Sequence, residues 1–505
     1  MRRALALVLV VSAVAIWPVP RVGAADSFRF FGSGWGHGLG MSQWGAYGMA
    51  LQGWKSDQIL RHFYTGTKVI TYAKPPKSLR IGLVQGKAKL RVGAQGGDVA
   101  LLVGDPSSGN VVATVPAGKT WTVKVVDQKY RIVDGSGQTV GSDVGGPSQN
   151  LYAVYAEAGS IVRIPEAGHR YSRGFIEFNI YNCSSSCVLR LILTIEPEPY
   201  LYGLGEVPAE WPKPALQVQA IAGRSYAFAR AALGQYRPGC NCALYASSMD
   251  QVYAGYDKEA EPSGDRWVAA VDATQGRVIA YQGKVITAYY FSSSGGHTEN
   301  NENVWPGSPI PYLRGVCDPG DYTQANPNAV WQVTLTAEQV TNKLHLGIGT
   351  VLSFTNTVRG VSGRIITTVV RGESGSATIS GGTLRSLLDL SDDRVWINAN
   401  RQVVGPIREK YDAIGCRPGL PTSRQAGVAG GERQQFQRAT IFFKDGLGAH
   451  DLSGSLLDFY LQEGGPGGSL GFPTSDVENL ENGGTKVTFE NGTVTCSPSG
   501  SCEVS

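Results

Sequence analysis

From residue 70 to about 200, apolar and polar residues alternate in short runs, among them SLRIGLV, KLRVGAQ, VALLVG, TWTVKVV and the stretch Ile161–Ile164, separated by Gly, Asp and Ser. Alternation with a period of two residues marks strands with one face on a core, and the spacing of the breakers predicts an antiparallel region. After Pro212 the period changes. ALQVQAIAGRSYAFARAAL contains no breaker except Gly223, and Pro212 and Pro214 suit a helix's first turn, so a helix is expected from about Pro214 to Leu233. Strands return in RVIAYQGKVITAYYFSSS, a hairpin turning at Gln282-Gly283, and after Val351 in RIITTVVRG and SATISGG. The expected class is α+β, mainly β, with one prominent helix. A chain of 505 residues with 42% hydrophobic content can fill more than one core, and its 66 glycines, scattered among Trp, Tyr, Val and Leu, read as tight turns rather than a disordered tract.

The first residues read as a secretory signal peptide: Arg2 and Arg3, an apolar run from Ala4 to Trp17, then Val22-Gly23-Ala24-Ala25 with small residues for cleavage after Ala24 or Ala25. A membrane anchor needs an uninterrupted span of about 20 residues, and Pro18 and Pro20 cut this one short. The mature protein is expected to be secreted and not an integral membrane protein. Eight cysteines in an exported chain point to disulfides. Cys183 and Cys187 flank a Ser-rich turn and would close a hairpin; Cys496 and Cys502 also lie close together. Cys240 and Cys242 are too near to bond each other without strain, so their partners are sought in Cys317 and Cys416, with a zinc site as the alternative. A net charge of +4, dispersed along the chain, gives no argument for nucleic acid.

Near Arg401 the composition shifts. GLPTS at Gly419–Ser423 recurs as GFPTS at Gly471–Ser475, each followed by a strand-like run, QQFQRATIFF or KVTFENGTV, and preceded by IREKYDAIG or LLDFYLQEGG. Such repeats must stack on one another or on a neighbour to bury their apolar faces. The pattern resembles LGFP repeats, associated with attachment to actinobacterial cell walls; only the second copy carries the full string, Leu470–Pro473. A β-rich extension that merely caps the fold is the other reading.

Glu206 stands in EPYLYGLGEVPAEWP, ahead of the expected helix and among apolar and aromatic residues. Such surroundings disfavour the charged carboxylate and raise its pKa toward that of a useful proton donor, although a Glu in this position taken alone is more often a cap or dipole partner. Leu201-Tyr202-Gly203, Glu206-Val207-Pro208 and the run Gln219-Ala220 to Arg224-Ser225-Tyr226-Ala227 resemble the core of the SpoIID/LytB family, with Gly223 and Ser225 where Ala and Thr are commoner. Asp250 to Gly255 is similar to the family's CQVYxG segment, with Asp250 in place of Cys. Tyr290 to Glu299 is similar to its YHSxSGGxTE segment, with Phe291 in place of His; Asn303-Val304-Trp305 and Pro311-Tyr312-Leu313 follow.

The resemblance implies that Glu206 is the acid of a lytic transglycosylase, acting on the linkage between N-acetylmuramic acid and N-acetylglucosamine in peptidoglycan glycan strands; no cofactor is expected, and no metal, since no second ligand stands at helical spacing from His37. Arg224 is expected to hold Glu206, hold a substrate carbonyl or make a structural salt bridge. Gln251, Tyr253, Ser293, Ser294, His297 and Glu299 are candidate sugar-binding residues, His297 being equally readable as a surface loop residue. A cell-wall amidase is a possible partner, because the LytB side of the family enhances one without cutting glycan; a wall-binding scaffold with a vestigial cleft is the third reading.

The run Gly34 to Ala46, GWGHGLGMSQWGA, resembles the GxGHGxGMSQ segment that usually closes a SpoIID domain, yet here it opens the mature chain, while the usual run-in to it, TLRSLLDLSDDRVW, breaks off at Trp396. The domain is therefore expected to be circularly permuted, with residues 28–66 packing as though they continued from Trp396, and with His37, Ser42 and Gln43 in the cleft of Glu206. The expected organisation is a signal peptide at 1–25, the glycine-rich segment at 26–68, an inserted accessory β unit at 69–172, the SpoIID/LytB core at 173–400 and wall-binding repeats at 401–505.

Overall fold

A computed structural model describes residues 26–184 and 186–505. The expected signal peptide, residues 1–25, lies outside the described residues. The protein is α+β and mainly β. The alternating region forms a six-stranded sheet, in the order Thr139–Val144, Lys129–Val133, Thr120–Val126, Lys89–Gln95, Ile161–Ile164, His169–Tyr171, and a seven-stranded sheet from Leu244–Tyr245 and Leu79–Lys87 through Val188–Ile195, Phe175–Tyr181 and Leu151–Tyr155 to Val99–Val103 and Asn110–Val115.

The two sheets share one apolar core, in which Leu90, Val92 and Ile132 of the first and Leu101, Phe178 and Leu191 of the second meet Leu216, Ala220 and Phe228 of the long helix. Strands on either side of residue 172 are thus joined: Leu151 pairs with Phe178, and Leu79 with Ile195. The expectation of a β unit lying apart from the core gives way to a continuous sheet, because strands 175–181 and 188–195 would otherwise present unpaired edges.

The helix Lys213–Leu233 is buried on nearly every side from Ala215 to Phe228. One face meets the sheets; the other, through Val218, Ile221 and Ala222, meets Met41, Ile59, Phe63 and Ile279. Its small residues follow from this double burial. A Cβ at Gly223 would stand 2.6 Å from a methyl of Leu204, so glycine there lets the Glu206 loop lie against the helix. The hairpin at Gln282-Gly283 forms, both residues having positive φ.

The N-terminal strand Ser27–Gly32 inserts between Trp331–Thr336 and Val395–Ile397, pairing Phe31 with Trp396. Beyond it, Gly34, Gly36, Gly38 and Gly40 all have positive φ, and the chain runs tightly along residues 289–293: a Cβ on Gly40 would lie 2.2 Å from the Tyr289 carbonyl oxygen. Met41–Ser42 pairs parallel with Tyr290–Phe291, and the Ser42 hydroxyl caps the helix Gln43–Leu51. The strands Val351–Arg359, Ile365–Gly372 and Gly375–Ser380 and the helix Gly381–Leu388 form a further core with Phe28 and Phe30.

The tail folds twice into a helix followed by a four-stranded meander, at 405–452 and 454–504. The copies match in detail. Tyr411 stacks on Phe436 and donates to the Gly419 carbonyl, as Tyr460 stacks on Phe489 and donates to that of Gly471. Cys183–Cys187 and Cys496–Cys502 pair as expected. Cys240 and Cys242, however, bond each other, and Cys317 bonds Cys416. The intervening Asn241 adopts a left-handed conformation, φ 54°, in a turn closed by its N–H on the Arg237 carbonyl, which sets the two Cα atoms 5.1 Å apart, an ordinary disulfide spacing. Neither thiol is left as a metal ligand.

Candidate active site

The strand Val188–Ile195 leads through the short helix Pro197–Tyr202 into the loop that carries Glu206. Backbone bonds pin this loop to residues 252–254: Gly205 N–H donates to Val252 O (2.9 Å), and Ala254 N–H to Gly203 O (2.8 Å). The buried Lys258 ammonium donates to Val207 O at 2.6 Å. Glu206 is no helix cap. The long helix begins at Lys213 with Pro212 as its N-cap, and the Glu206 carboxyl turns toward a cleft of about 450 Å3.

The Oε1 atom of Glu206 accepts from Val252 N–H at 2.6 Å and from the Tyr290 hydroxyl at 3.0 Å. Tyr290 in turn accepts from Gln251 Nε2 (2.8 Å), whose Oε1 accepts from the Tyr200 hydroxyl (3.0 Å). Gln251 and Tyr200 are fully buried, so this chain fixes the carboxyl from behind. Among the described residues no hydrogen bond is made to Oε2, which leaves that oxygen for a proton facing the cleft. Burial pushes the carboxyl up to about 7, with Val252, Tyr290 and Gln43 pulling the other way. A group so poised is protonated in a large fraction of molecules at neutral pH and exchanges its proton there.

The sequence candidates divide sharply. Gln43 is at the site: its Nε2 lies 3.4 Å from Glu206 O and 3.3 Å from Gln219 Oε1. His37 lines the same cleft, its ring 5.3 Å from that of Phe291 and 5.1 Å from that of Trp305. Burial, with Arg385 and Arg364 nearby, lowers it to about 3, and Leu39 N–H donates to its Nδ1, so the ring is neutral. Tyr253 supports the loop from beneath, stacked on Tyr200 at 5.0 Å. Arg224 is buried in a bidentate ion pair with Glu198 (2.9 and 2.7 Å) and reaches neither Glu206 nor the cleft; the salt-bridge reading is the one its geometry carries.

Ser42, Ser293 and Ser294 are also spent on structure. Ser42 and Ser293 donate to Asp321, and Ser294 to Asp318, in a fully buried cluster. Glu299 accepts from the Ser362 hydroxyl and from the N–H groups of Val361 and Ser362, and His297 Nδ1 is tied to Thr298 O at 2.7 Å. Neither lines the cleft. The residues missed are Tyr290, Gln219, Trp35, Trp305 and Arg385. All five lie within the motif runs quoted from the sequence, but a motif does not show which of its side chains face the cleft. Trp35 and Trp305 keep 51% and 43% of their surface exposed, suited to stacking on sugar rings. Asp250, where the family motif has Cys, lines the cleft but is held by Arg237 (2.5 Å) and Tyr226 (2.9 Å).

A model of the family described as stage II sporulation protein matches residues 187–281, a stretch that includes Glu206, Arg224, Gln251 and Tyr253 and stops short of Tyr290; the LGFP repeat matches residues 419–468. The chain is 30% identical over 233 residues to stage II sporulation protein D of Bacillus amyloliquefaciens, covering 43% of this chain and 63% of that one. It is 29% identical over 215 residues to the protein of the same name from Bacillus subtilis (strain 168), covering 39% and 60%. With the amidase enhancer of Bacillus subtilis (strain 168) it shares 35% identity over 138 residues, 27% of this chain and 17% of the other. The chain thus spans less than two thirds of the length of each of these relatives. On these matches the chain carries a SpoIID domain at residues 187–281 and an LGFP repeat at residues 419–468, and it is similar to proteins named stage II sporulation protein D and amidase enhancer.

Proposed function

We propose that the protein is a secreted, cell-wall-associated lytic transglycosylase that cleaves the linkage between N-acetylmuramic acid and N-acetylglucosamine in peptidoglycan, with Glu206 as general acid and then base. The observation that carries this reading is that, among the described residues lining the cleft, Glu206 alone has a carboxyl not paired with a cation, raised to about 7 by burial. Hydrolysis by the usual two-carboxylate route needs a second carboxylate as nucleophile or base. Asp250, the other carboxylate lining the cleft, is occupied by an arginine and a tyrosine. One carboxyl suffices if the nucleophile is the sugar's own 6-hydroxyl. Glu206 gives its proton to the bridging oxygen as the bond from that oxygen to the anomeric carbon of the muramic acid breaks. The resulting carboxylate takes the proton of the 6-hydroxyl as its oxygen bonds the anomeric carbon, leaving a 1,6-anhydro end and restoring the acid.

Val252 and Tyr290 hold Oε1 and so orient Oε2 toward the substrate. The tail repeats would hold the enzyme on the wall, as the LGFP resemblance implies. The test is mass analysis of purified glycan strands after incubation with the mature protein. A second reading, a non-catalytic enhancer of a cell-wall amidase, draws on the relative that bears that name; it requires stimulation of an added amidase with no anhydro ends formed.

A further inference from the structure

The cleft over Glu206 opens, past Trp35, Gly36, His37, Trp305 and Arg385, into a larger groove of about 880 Å3. Its far wall is built by the helix Gly381–Leu388 and residues 389–393, none of which lies in the stretch matched to the stage II sporulation protein model. Arg385 stands at the junction. Its Nη1 donates to the Gly36 carbonyl at 2.6 Å, and among the described residues it has no carboxylate within ion-pairing distance.

The other charges around the groove have partners of their own. Asp393 lies 3.6 Å from the buried Arg364, and burial and the adjacent Asp392 push its carboxyl above the usual carboxylate range, with Arg364 and the more distant Arg385 pulling the other way. Asp392 is bound to the buried Arg364 (2.9 Å), the exposed Asp389 is paired with Lys343, and His37 is neutral. The groove therefore presents a half-buried guanidinium with no carboxylate paired to it among the described residues, and such a group holds a planar anion well and gives a neutral sugar no comparable advantage.

We infer that this groove is a carboxylate site for the branch borne by the lactyl ether of muramic acid, with Arg385 as its receptor. The inference rests on the proposed action on peptidoglycan. The backbone sugars of such a strand are neutral, so an anion entering beside the reacting bond comes from that branch: the lactyl carboxylate itself in a peptide-stripped strand, or a carboxylate of the stem peptide in an intact one.

The experiment is calorimetric titration of the full-length Glu206→Gln protein, which does not turn over, with three glycans of equal length: an N-acetylglucosamine oligomer, a peptide-stripped strand and a peptide-bearing strand. At least one muramic-acid ligand should bind about ten-fold or more tightly than the N-acetylglucosamine oligomer, and the advantage should shrink with added salt. Whichever of the two it is identifies the source of the carboxylate. Adding Arg385→Gln should remove the advantage, and Arg385→Lys should restore part of it, with thermal unfolding confirming that both variants fold. Equal affinity for all three glycans, or an advantage that survives Arg385→Gln in folded protein, overturns the carboxylate site alone. Failure of every glycan to bind, the neutral oligomer included, overturns the transglycosylase reading with it.

Discussion

Glu206 and the pair Asp318 and Asp321 have pKa values raised for the same physical reason and differ in what surrounds them. Glu206 is raised by burial, is held by one backbone N–H and one tyrosine hydroxyl, and opens on a cleft. Asp318 and Asp321 are also raised by burial, Asp318 further by its neighbour Asp321, but they lie wholly inside the protein. Ser42, Ser293, Ser294 and two backbone N–H groups bond them, and the buried Arg408 favours the charge on Asp321. Arg408 comes from the first helix of the tail, which Cys317–Cys416 fastens to the same place. A perturbed carboxyl therefore marks a site only when a substrate can reach it. The inaccessible pair serves instead as a clasp that joins the capped helix beginning at Gln43, the 293–296 turn and the tail.

Breaking each side of this comparison should give distinct failures. Replacing Glu206 with Gln should cut formation of anhydro ends by about 10²–10⁴-fold, the range for loss of a general acid, as measured by product release from soluble strands. It should also stabilise the fold at alkaline pH. A carboxyl raised from 4.5 to about 7 in the folded state costs stability as pH climbs between those values and continues to cost it above them. Urea unfolding of the variant should thus gain on the order of 2 kcal/mol over wild type at pH 8.5 and nothing at pH 4. Equal differences at both pH values would place Glu206 in a solvated setting.

Arg408→Ala should do the reverse, leaving Glu206 in place but destabilising the protein by about 3–5 kcal/mol in the same unfolding measurement, since it strands Asp412 and Asp321 without a cation. A loss below about 1 kcal/mol, the size for exposed pairs, would mean that the clasp is not buried in solution. Tyr290→Phe removes a donor that favours the Glu206 carboxylate, so the carboxyl should rise by about one pH unit. With the acid form active, as proposed, the alkaline limb of the pH–rate profile should move upward by that amount; a downward shift would contradict the assignment. The smallest effect is expected for Ser294→Ala, which deletes one donor to Asp318. It should cost about 1–2 kcal/mol of stability and leave the alkaline limb where it is in wild type.

Much of this was legible in the sequence because it depends on local pattern. The long helix follows from a breaker-free run after Pro212, and the strands from alternation. Glu206, Gln43 and His37 were placed together by motifs that lie far apart in the chain but meet along residues 289–293. What escaped were properties set by distant partners. Ser293, Ser294 and Glu299 read as sugar ligands because nothing within their own turn showed that Asp318, Asp321 and Ser362 would consume them. Of the three roles open to Arg224, the salt bridge is the one the structure holds, because Glu198, distant in sequence, takes its Nε and Nη2. Cys240 and Cys242 bond each other through one left-handed Asn, a conformation that spacing alone does not reveal. Of the β region expected to stand apart, the strands at 79–87, 99–103, 110–115 and 151–155 were drawn into a common sheet with the core by edge pairing at Leu79 and Leu151, while the rest forms the six-stranded sheet packed on the same apolar core.

The central claim is that Glu206 cuts glycan by internal attack of the 6-hydroxyl. Mass analysis of purified peptidoglycan strands incubated with the mature protein tests it most directly. The account predicts fragments ending in 1,6-anhydro-muramic acid from wild type and none above background from the Glu206→Gln protein. Fragments with ordinary reducing ends would contradict the proposed chemistry, and intact strands alongside a stimulated added amidase would contradict the enzyme reading altogether.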